Sequence, residues 1–200
     1  MRHMLDDWQV GVLRGVALDA ALYDVARLRM AVFRDWPYLY HGDMGYERRY
    51  LASYRDNPHA VLVGAFAAGR LIGAATGMPL TEHDAAFGAA IAAAGHDPAS
   101  VFYCAESVLL PEWRGRGIGH RFFDLREAAA RDQGFRLVAF CAVIRPDDHP
   151  LKPADYRPLD GFWRKRGYAP LDGAMAPFAW TDIDQAGDTE KPMQIWMRAL

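Results

Sequence analysis

Pro111-Glu112-Trp113-Arg114-Gly115-Arg116-Gly117-Ile118-Gly119-His120-Arg121 is the stretch on which the reading of this chain turns. Before it runs VFYCAESVLL (101–110), an apolar and aromatic segment of strand character. After it, residues 118–133 place Phe122, Phe123, Leu125, Ala129 and Ala130 at helical spacing. Gly115, Gly117 and Gly119 therefore fall where a strand ends and a helix begins. Without Cβ atoms they permit turns and close approaches that other residues obstruct. A helix start also leaves backbone amides unpaired and carries partial positive charge, which favours a bound pyrophosphate. Arg114, Arg116 and Arg121 add full charges at the same place. The segment reads as an amide-lined anion cradle; a ligand-free turn would not need so many Gly and Arg residues together.

Two common phosphate loops do not fit. A Walker loop continues its glycines with GK[ST], where this chain has Gly119-His120-Arg121. A dinucleotide fingerprint has a third glycine where His120 stands, and it opens a first βαβ unit rather than following several strands.

The 200 residues, 52% hydrophobic and 24% charged, suffice for a core and exclude a disordered chain. Lys and Arg total 23 against 25 Asp and Glu, so the net charge of -2 removes the general electrostatic case for nucleic-acid binding. Cys104 and Cys141 are the two cysteines, without CxxC, and the seven histidines lack ligand spacing, so neither a disulfide scaffold nor a metal site is expected. No apolar run approaches the roughly 18 residues of a membrane span, and the opening MRHMLDDWQV is charged. No repeat or flexible linker interrupts the chain. The expectation is a cytoplasmic, reduced protein with one domain over 1–200.

Along the chain, 8–18 reads as a first strand. Leu22, Val25, Ala26, Leu28, Val32 and Phe33 mark a helix stopped at Trp36-Pro37, and a second helix covers 46–55. Strands are expected at 59–66 and 71–79, a short Ala-rich helix at 83–95, and a strand at 136–144. A Pro-rich loop over 145–157 precedes a short helix at 159–166, and strands near 174–181 and 193–199 close the chain. The fold class is α/β in the α+β sense, a mixed sheet with interleaved helices.

The arrangement resembles the GNAT superfamily of acyl-CoA-dependent N-acyltransferases. Its R/Q-x-x-G-x-G/A signature is matched by Arg114, Gly117 and Gly119, and VLLPEW is similar to its lead-in. Gly161-Phe162-Trp163-Arg164-Lys165-Arg166-Gly167-Tyr168 is similar to a second family motif. The resemblance spans roughly Val10 to Leu200. It implies a mixed, mostly antiparallel central sheet flanked by helices, acetyl-CoA as co-substrate, a homodimer as the family-level association, and an N-acetyltransferase activity. Ser107, Val108 and Leu109 fall where the fourth strand would pair with the pantetheine arm. Gly115, Arg116, Gly117, Ile118, Gly119 and His120 would hold the pyrophosphate, and a strand amide near Val108 or Leu109 would polarise the thioester carbonyl.

Transfer to an amine requires a neutral nucleophile. An alkyl amine with a pKa near 10.4 is protonated at pH 7, and freeing its lone pair costs about 4–5 kcal/mol. The resemblance makes Glu106 the expected base, since relatives often place an acidic group there. An apolar setting would also raise its pKa; a structural ion pair with an arginine is the alternative. For the acid, relatives commonly use a tyrosine where this chain has Trp163, whose indole cannot serve. Tyr156, with His149 behind it, is the substitute, and solvent could equally provide the proton. Trp163 is expected to pack against the cofactor or the core. Both cysteines lie in strand-like runs and read as inert buried thiols.

On the acceptor side, the resemblance implies a pocket walled by the first two helices and their connection. There Trp36, Tyr38 and Tyr40 are the substrate-contact candidates. Tyr46, Tyr50 and Tyr54, spaced by four, either join them or simply pack a helix on the sheet. With Asp43 and Glu47 among them, these aromatic faces suit a cationic or amphipathic small-molecule amine. The 145–157 loop is long for its position and is expected to cover the acceptor, with His149 and Asp148 near the thioester. Two other functions stay open: acetylation of a protein or peptide, and a non-catalytic acyl-CoA sensor.

Overall fold

The computed structural model describes residues 8–200; the first seven, which belong to the charged opening stretch, lie outside the described residues. Strand β1 (Trp8–Leu13) leads into helices α1 (Gly15–Phe33) and α2 (Met44–Asp56), then strands β2 (Val61–Ala67) and β3 (Arg70–Pro79). Helix α3 (Ala85–Ala93) precedes β4 (Val101–Leu109), α4 (Ile118–Asp132) and β5 (Leu137–Val143). A short α5 (Asp160–Lys165) and the long hairpin β6 (Ala169–Thr181) and β7 (Asp188–Ala199) complete the chain. The strands form one sheet in the order β1-β2-β3-β4-β5-β7-β6, antiparallel throughout except between β4 and β5.

The sheet is covered on both faces, which explains the near-continuous apolar runs of its central strands. Along β2, Val61, Val63 and Ala65 pack in the cluster that holds Phe122 and Phe123 of α4. The intervening Leu62 and Phe66 join Val25, Leu28 and Leu51 of α1 and α2. Period-two alternation thus sorts the helices onto opposite faces. A third cluster sets Phe87 and Ile91 of α3 against Tyr103, Trp180 and Ile195.

The element order agrees with the sequence reading, with shifted boundaries. The stretch read as one strand over 8–18 breaks after Leu13, because Leu18, Ala21, Leu22 and Val25 continue the helical spacing of α1 backwards. Strands β6 and β7 start five residues earlier than expected, since the added residues are largely polar or exposed on an outer hairpin and carry no apolar signal. The buried face of α4 also includes Arg126 and Glu127, at 1% and 4% exposure, whereas Leu125 and Ala129 are half-buried.

Two irregularities shape the middle of the sheet. Strands β4 and β5 pair over three residues, Val101–Tyr103 with Leu137–Ala139; beyond them β5 stays with β7 while β4 stays with β3. Just there β4 bulges: between Met78↔Tyr103 and Thr76↔Glu106, β3 spends Gly77 while β4 spends Cys104 and Ala105. The Arg126 guanidinium of α4 locks the bulge, donating to Thr76 O (3.1 Å), Glu106 O (2.9 Å) and Ser107 Oγ (2.7 Å).

A second lock fixes the α1–α2 connection. Arg145, at the end of β5, donates to Pro37 O (2.8 Å) and Tyr38 O (2.6 Å) and forms a buried pair with Asp182 at 2.7 Å. Lys191 reaches the same carboxylate at 3.1 Å. Backbone bonds from His41 to Thr181 O and from Ile183 to Leu39 O tie the connection to the end of β6. Burial opposes ionisation of Asp182, but hydrogen bonds from Arg145 and Lys191 outweigh it and hold the pKa below the usual aspartate value. A depressed folded-state pKa contributes stability above the unfolded value near 3.9, lost as pH falls through the folded value. Asp182→Ala leaves two buried cations without their anion. Chemical denaturation at pH 7 should show a loss of about 3–5 kcal/mol, and a change under 1 kcal/mol would contradict the lock.

Candidate active site

At one end of the site, the turn after β4 presents the start of α4. Gly115 and Gly117 have φ of 76° and 84°, in the left-handed region that a side chain resists, and a Cβ on either would project into open space. Gly117 is the N-cap of α4 and no side chain caps the helix. Its amphipathic sequence buries Ile118, Phe122 and Phe123 and leaves the Gly115–Gly117 backbone exposed. Arg114 reaches Leu109 O at 3.4 Å, Arg116 stacks over Trp113 at 4.9 Å, and Arg121 lies near Asp124 at 3.7 Å. This is an open cradle of amides under three cations, the chemistry that a diphosphate needs.

At the other end lies a cavity of about 380 Å³ between the α1–α2 connection, α3 and the β6–β7 hairpin. Phe33, Tyr38, Tyr46, Phe87, Phe178 and Trp180 wall it, and Glu106 reaches it from the β4 bulge. Arg29 ion-pairs with Glu106 and with Glu47, the latter at 2.5 Å. Tyr50 donates its hydroxyl to Glu106 Oε2 at 2.6 Å and meets the Tyr54 hydroxyl at 2.9 Å. Burial opposes the charge of Arg29, yet Glu106, Tyr50 and Glu47 push its pKa well above the usual value. Burial and the Glu106 carboxylate raise the Tyr50 pKa, so this phenol stays a neutral donor. Two carboxylates against one guanidinium leave the polar cluster with a formal charge of one negative unit.

The parted strands connect the two ends. Beyond Tyr103, alternate main-chain groups of β4 face the side that β5 has left, a sheet edge able to bind an extended chain. A ligand anchored at the α4 start would lie along Leu109–Glu106 and bring its far end to the cavity.

A family model described as "Acetyltransferase (GNAT) family" matches residues 25–153. The chain belongs to the GNAT acetyltransferase family. GNAT structures also share its fold at low sequence identity. The ribosomal-protein-alanine N-acetyltransferase of Brucella melitensis is 11% identical, with a TM-score of 0.63 over 96% of this chain and 99% of that one. The protein yncA of Salmonella typhimurium, solved with its cofactor acetyl-CoA, is 10% identical, with a TM-score of 0.63 over 96% and 94%. The PaiA N-acetyltransferase of Thermoplasma acidophilum, in complex with coenzyme A, is 13% identical, with a TM-score of 0.56 over 97% and 99%. The comparison with curated proteins finds no match.

Among the residues singled out from the sequence, Ser107, Val108 and Leu109 lie on the open part of β4, and Arg114 to His120 surround the α4 start. His120 is braced by Phe162, with ring centroids 4.8 Å apart, and by the Arg166 guanidinium at 3.2 Å. Tyr38 and Tyr40 line the cavity, as do Tyr46 and Tyr50, so part of the tyrosine ladder faces the cavity as well as packing the helix. The apolar setting expected for Glu106 is replaced by the Arg29 pair, because α1 delivers a guanidinium to the bulge. Trp36, His149 and Tyr156 instead form a separate aromatic cluster, with His149 and Tyr156 at 5.1 and 6.0 Å from the Trp36 ring, and none of the three lines the cavity. Asp148 is likewise outside it. Trp163 packs against Phe140 and Trp196 at 5.0 and 5.1 Å, which places it against the core. Both cysteines are buried, and burial pushes the Cys141 thiol up to about 12.

Sequence reasoning missed Arg29, Arg126 and His83. The first two had a signal: each occupies an apolar-stripe position, four residues from Val25 and Phe33 or from Phe122. A charge there is buried and must be paired. His83 stands between elements and had none.

Gly117→Val places a branched side chain at a left-handed position and in the mouth of the cradle. Calorimetry should show affinity for coenzyme A falling at least about tenfold, the cost of roughly 1–2 kcal/mol for the strain alone. Unchanged affinity in a folded variant would count against the cradle.

Proposed function

We propose that the protein transfers the acetyl group of acetyl-CoA to the primary amine of a small molecule with an aromatic or apolar body. One observation carries the acceptor class: the charged residues that line the aromatic cavity, Arg29 and Arg49 against Asp43, Glu106 and Asp188, leave it one formal negative charge. The carboxylate charge attracts an alkylammonium, and the Tyr and Trp faces add cation–π attraction and apolar contact. The Tyr38 loop, strapped down by Arg145, closes one side of the cavity and suits a compact acceptor rather than a folded protein surface.

In this reading the diphosphate rests on the Gly115–His120 backbone and the pantetheine arm pairs with β4. The thioester then reaches the bulge, where a main-chain amide near Val108 or Leu109 polarises its carbonyl. The Arg126 guanidinium, donating to neutral acceptors at Glu106 O and Ser107 Oγ, holds that backbone in place. Glu106 steers the ammonium end to the thioester carbon, so alignment replaces a chance encounter. Each of its two oxygens holds one partner, Arg29 or Tyr50, and keeps a further lone pair for the ammonium, which suits an anchoring role. The departing group is a thiolate, a far weaker base than an alkoxide, and needs no obligatory acid.

Release of coenzyme A thiol should be fastest with phenethylamine or tryptamine, slower with spermidine, and weakest with peptides bearing a free N-terminus. Turnover confined to peptides would overturn the acceptor class. Glu106→Gln should keep acetyl-CoA affinity while lowering kcat/KM for the amine about tenfold or more, the cost of one partly buried charge contact. Full activity would remove Glu106 from the site.

A further inference from the structure

We infer that His83 is the group that takes the proton from the acceptor amine. The inference rests on the acetyl-transfer reading above and adds to it a catalytic residue outside the sequence motifs. His83 follows the short turn Leu80–Glu82 that carries the chain from β3 toward α3. Its ring lies against Tyr103, Phe87 and Tyr50, with centroids at 4.7, 5.5 and 6.4 Å, and lines the same cavity as Glu106.

Both ring nitrogens are buried and neither has a hydrogen-bond partner among the described residues. Native proteins seldom leave such groups unpaired without a purpose. The neighbouring phenols do not fill the role: Tyr50 donates to Glu106, and the Tyr103 hydroxyl meets Cys141 Sγ at 2.8 Å. His83 therefore keeps a free acceptor nitrogen in the cavity, beside the committed Tyr50–Glu106 and Tyr103–Cys141 pairs.

The charges around the ring come from every element packed on it. Glu106 of β4 and Asp84 at the start of α3 favour the imidazolium, while burial and Arg29 of α1 oppose it. Burial is the largest influence and holds the pKa below the ordinary 6.5, so the ring is neutral at pH 7 and ready to accept. Protonating Glu106 instead would dissolve the buried pair with Arg29; protonating His83 breaks no existing bond.

The amine lone pair forms the C–N bond at the thioester carbonyl, and the C–S bond breaks with its electron pair going to the sulfur of coenzyme A. Before attack the bound ammonium gives one proton to His83, directly or through one water, and from there to solvent, which frees the lone pair; the second proton, left on nitrogen after attack, goes to the departing thiolate and gives the free thiol.

The test compares the parent protein with His83→Asn and His83→Gln, using phenethylamine and acetyl-CoA. Loss of a general base should lower kcat about a hundredfold, with acetyl-CoA affinity and Tm close to the parent. In the parent, kcat should fall as pH drops through the lowered His83 pKa, and that acid limb should vanish in the variants. Variants with kcat within twofold of the parent and the same pH profile would overturn the inference. A readout independent of turnover is the ring signal of His83 in histidine-labelled protein, which should shift when phenethylammonium is added; no response would also overturn it. Failure of the parent to bind acetyl-CoA would strike the acetyl-transfer reading, whereas acetyl-CoA binding and turnover that the His83 variants leave unchanged would strike the His83 inference alone.

Discussion

The parting of β4 from β5 after three residue pairs is the constraint on which the site depends. Up to Tyr103 the sheet is continuous, and beyond it β4 has a partner on one side only. That single break leaves backbone groups free to bind an extended chain, aims the strand at the α4 start, and leaves a space into which Glu106 points. Nothing in β4 or β5 alone forces the break. It is held by what packs around it: the bulge at Cys104 and Ala105, the Arg126 guanidinium gripping β3 and β4 beside the bulge, and the pairing of β5 with β7.

Buried cations recur as the means of fixing irregular backbone. Arg126 holds the bulge, Arg145 holds the Tyr38 loop, and Arg29 ties two carboxylates from α2 and β4 together. In each case a guanidinium supplies several directed donors where regular strand pairing has ended. Such sites are costly to desolvate, so they specify one arrangement more than they add stability. In the proposed reading that arrangement serves acyl transfer, with an anchored donor, a polarised carbonyl and an acceptor held by charge.

The cofactor end was legible in the sequence because it is local. Arg114, Gly117 and Gly119 lie within six residues, and their spacing alone implies a strand-to-helix turn with free amides. The acceptor end was legible only in part, because its residues come from α1, α2, β4 and the β3–α3 connection. Glu106 stood out on its strand, yet no pattern in the chain shows that Arg29 will meet it. The pairing arises when α1 crosses the sheet. Tyr156 and His149 illustrate the opposite case: residues suited to proton transfer, on a loop near the right elements, that packing gathers around Trp36 instead. Side-chain chemistry can be read from sequence, whereas convergence of side chains follows from tertiary packing.

The account is tested most directly by amide hydrogen exchange with and without coenzyme A. It requires exchange to slow in two separated segments together, the open part of β4 over Glu106–Leu109 and the turn from Gly115 to His120, with smaller effects on β1 and β2. Protection of neither segment, or protection confined to a different face of the sheet, would contradict a ligand bound in the gap between β4 and β5.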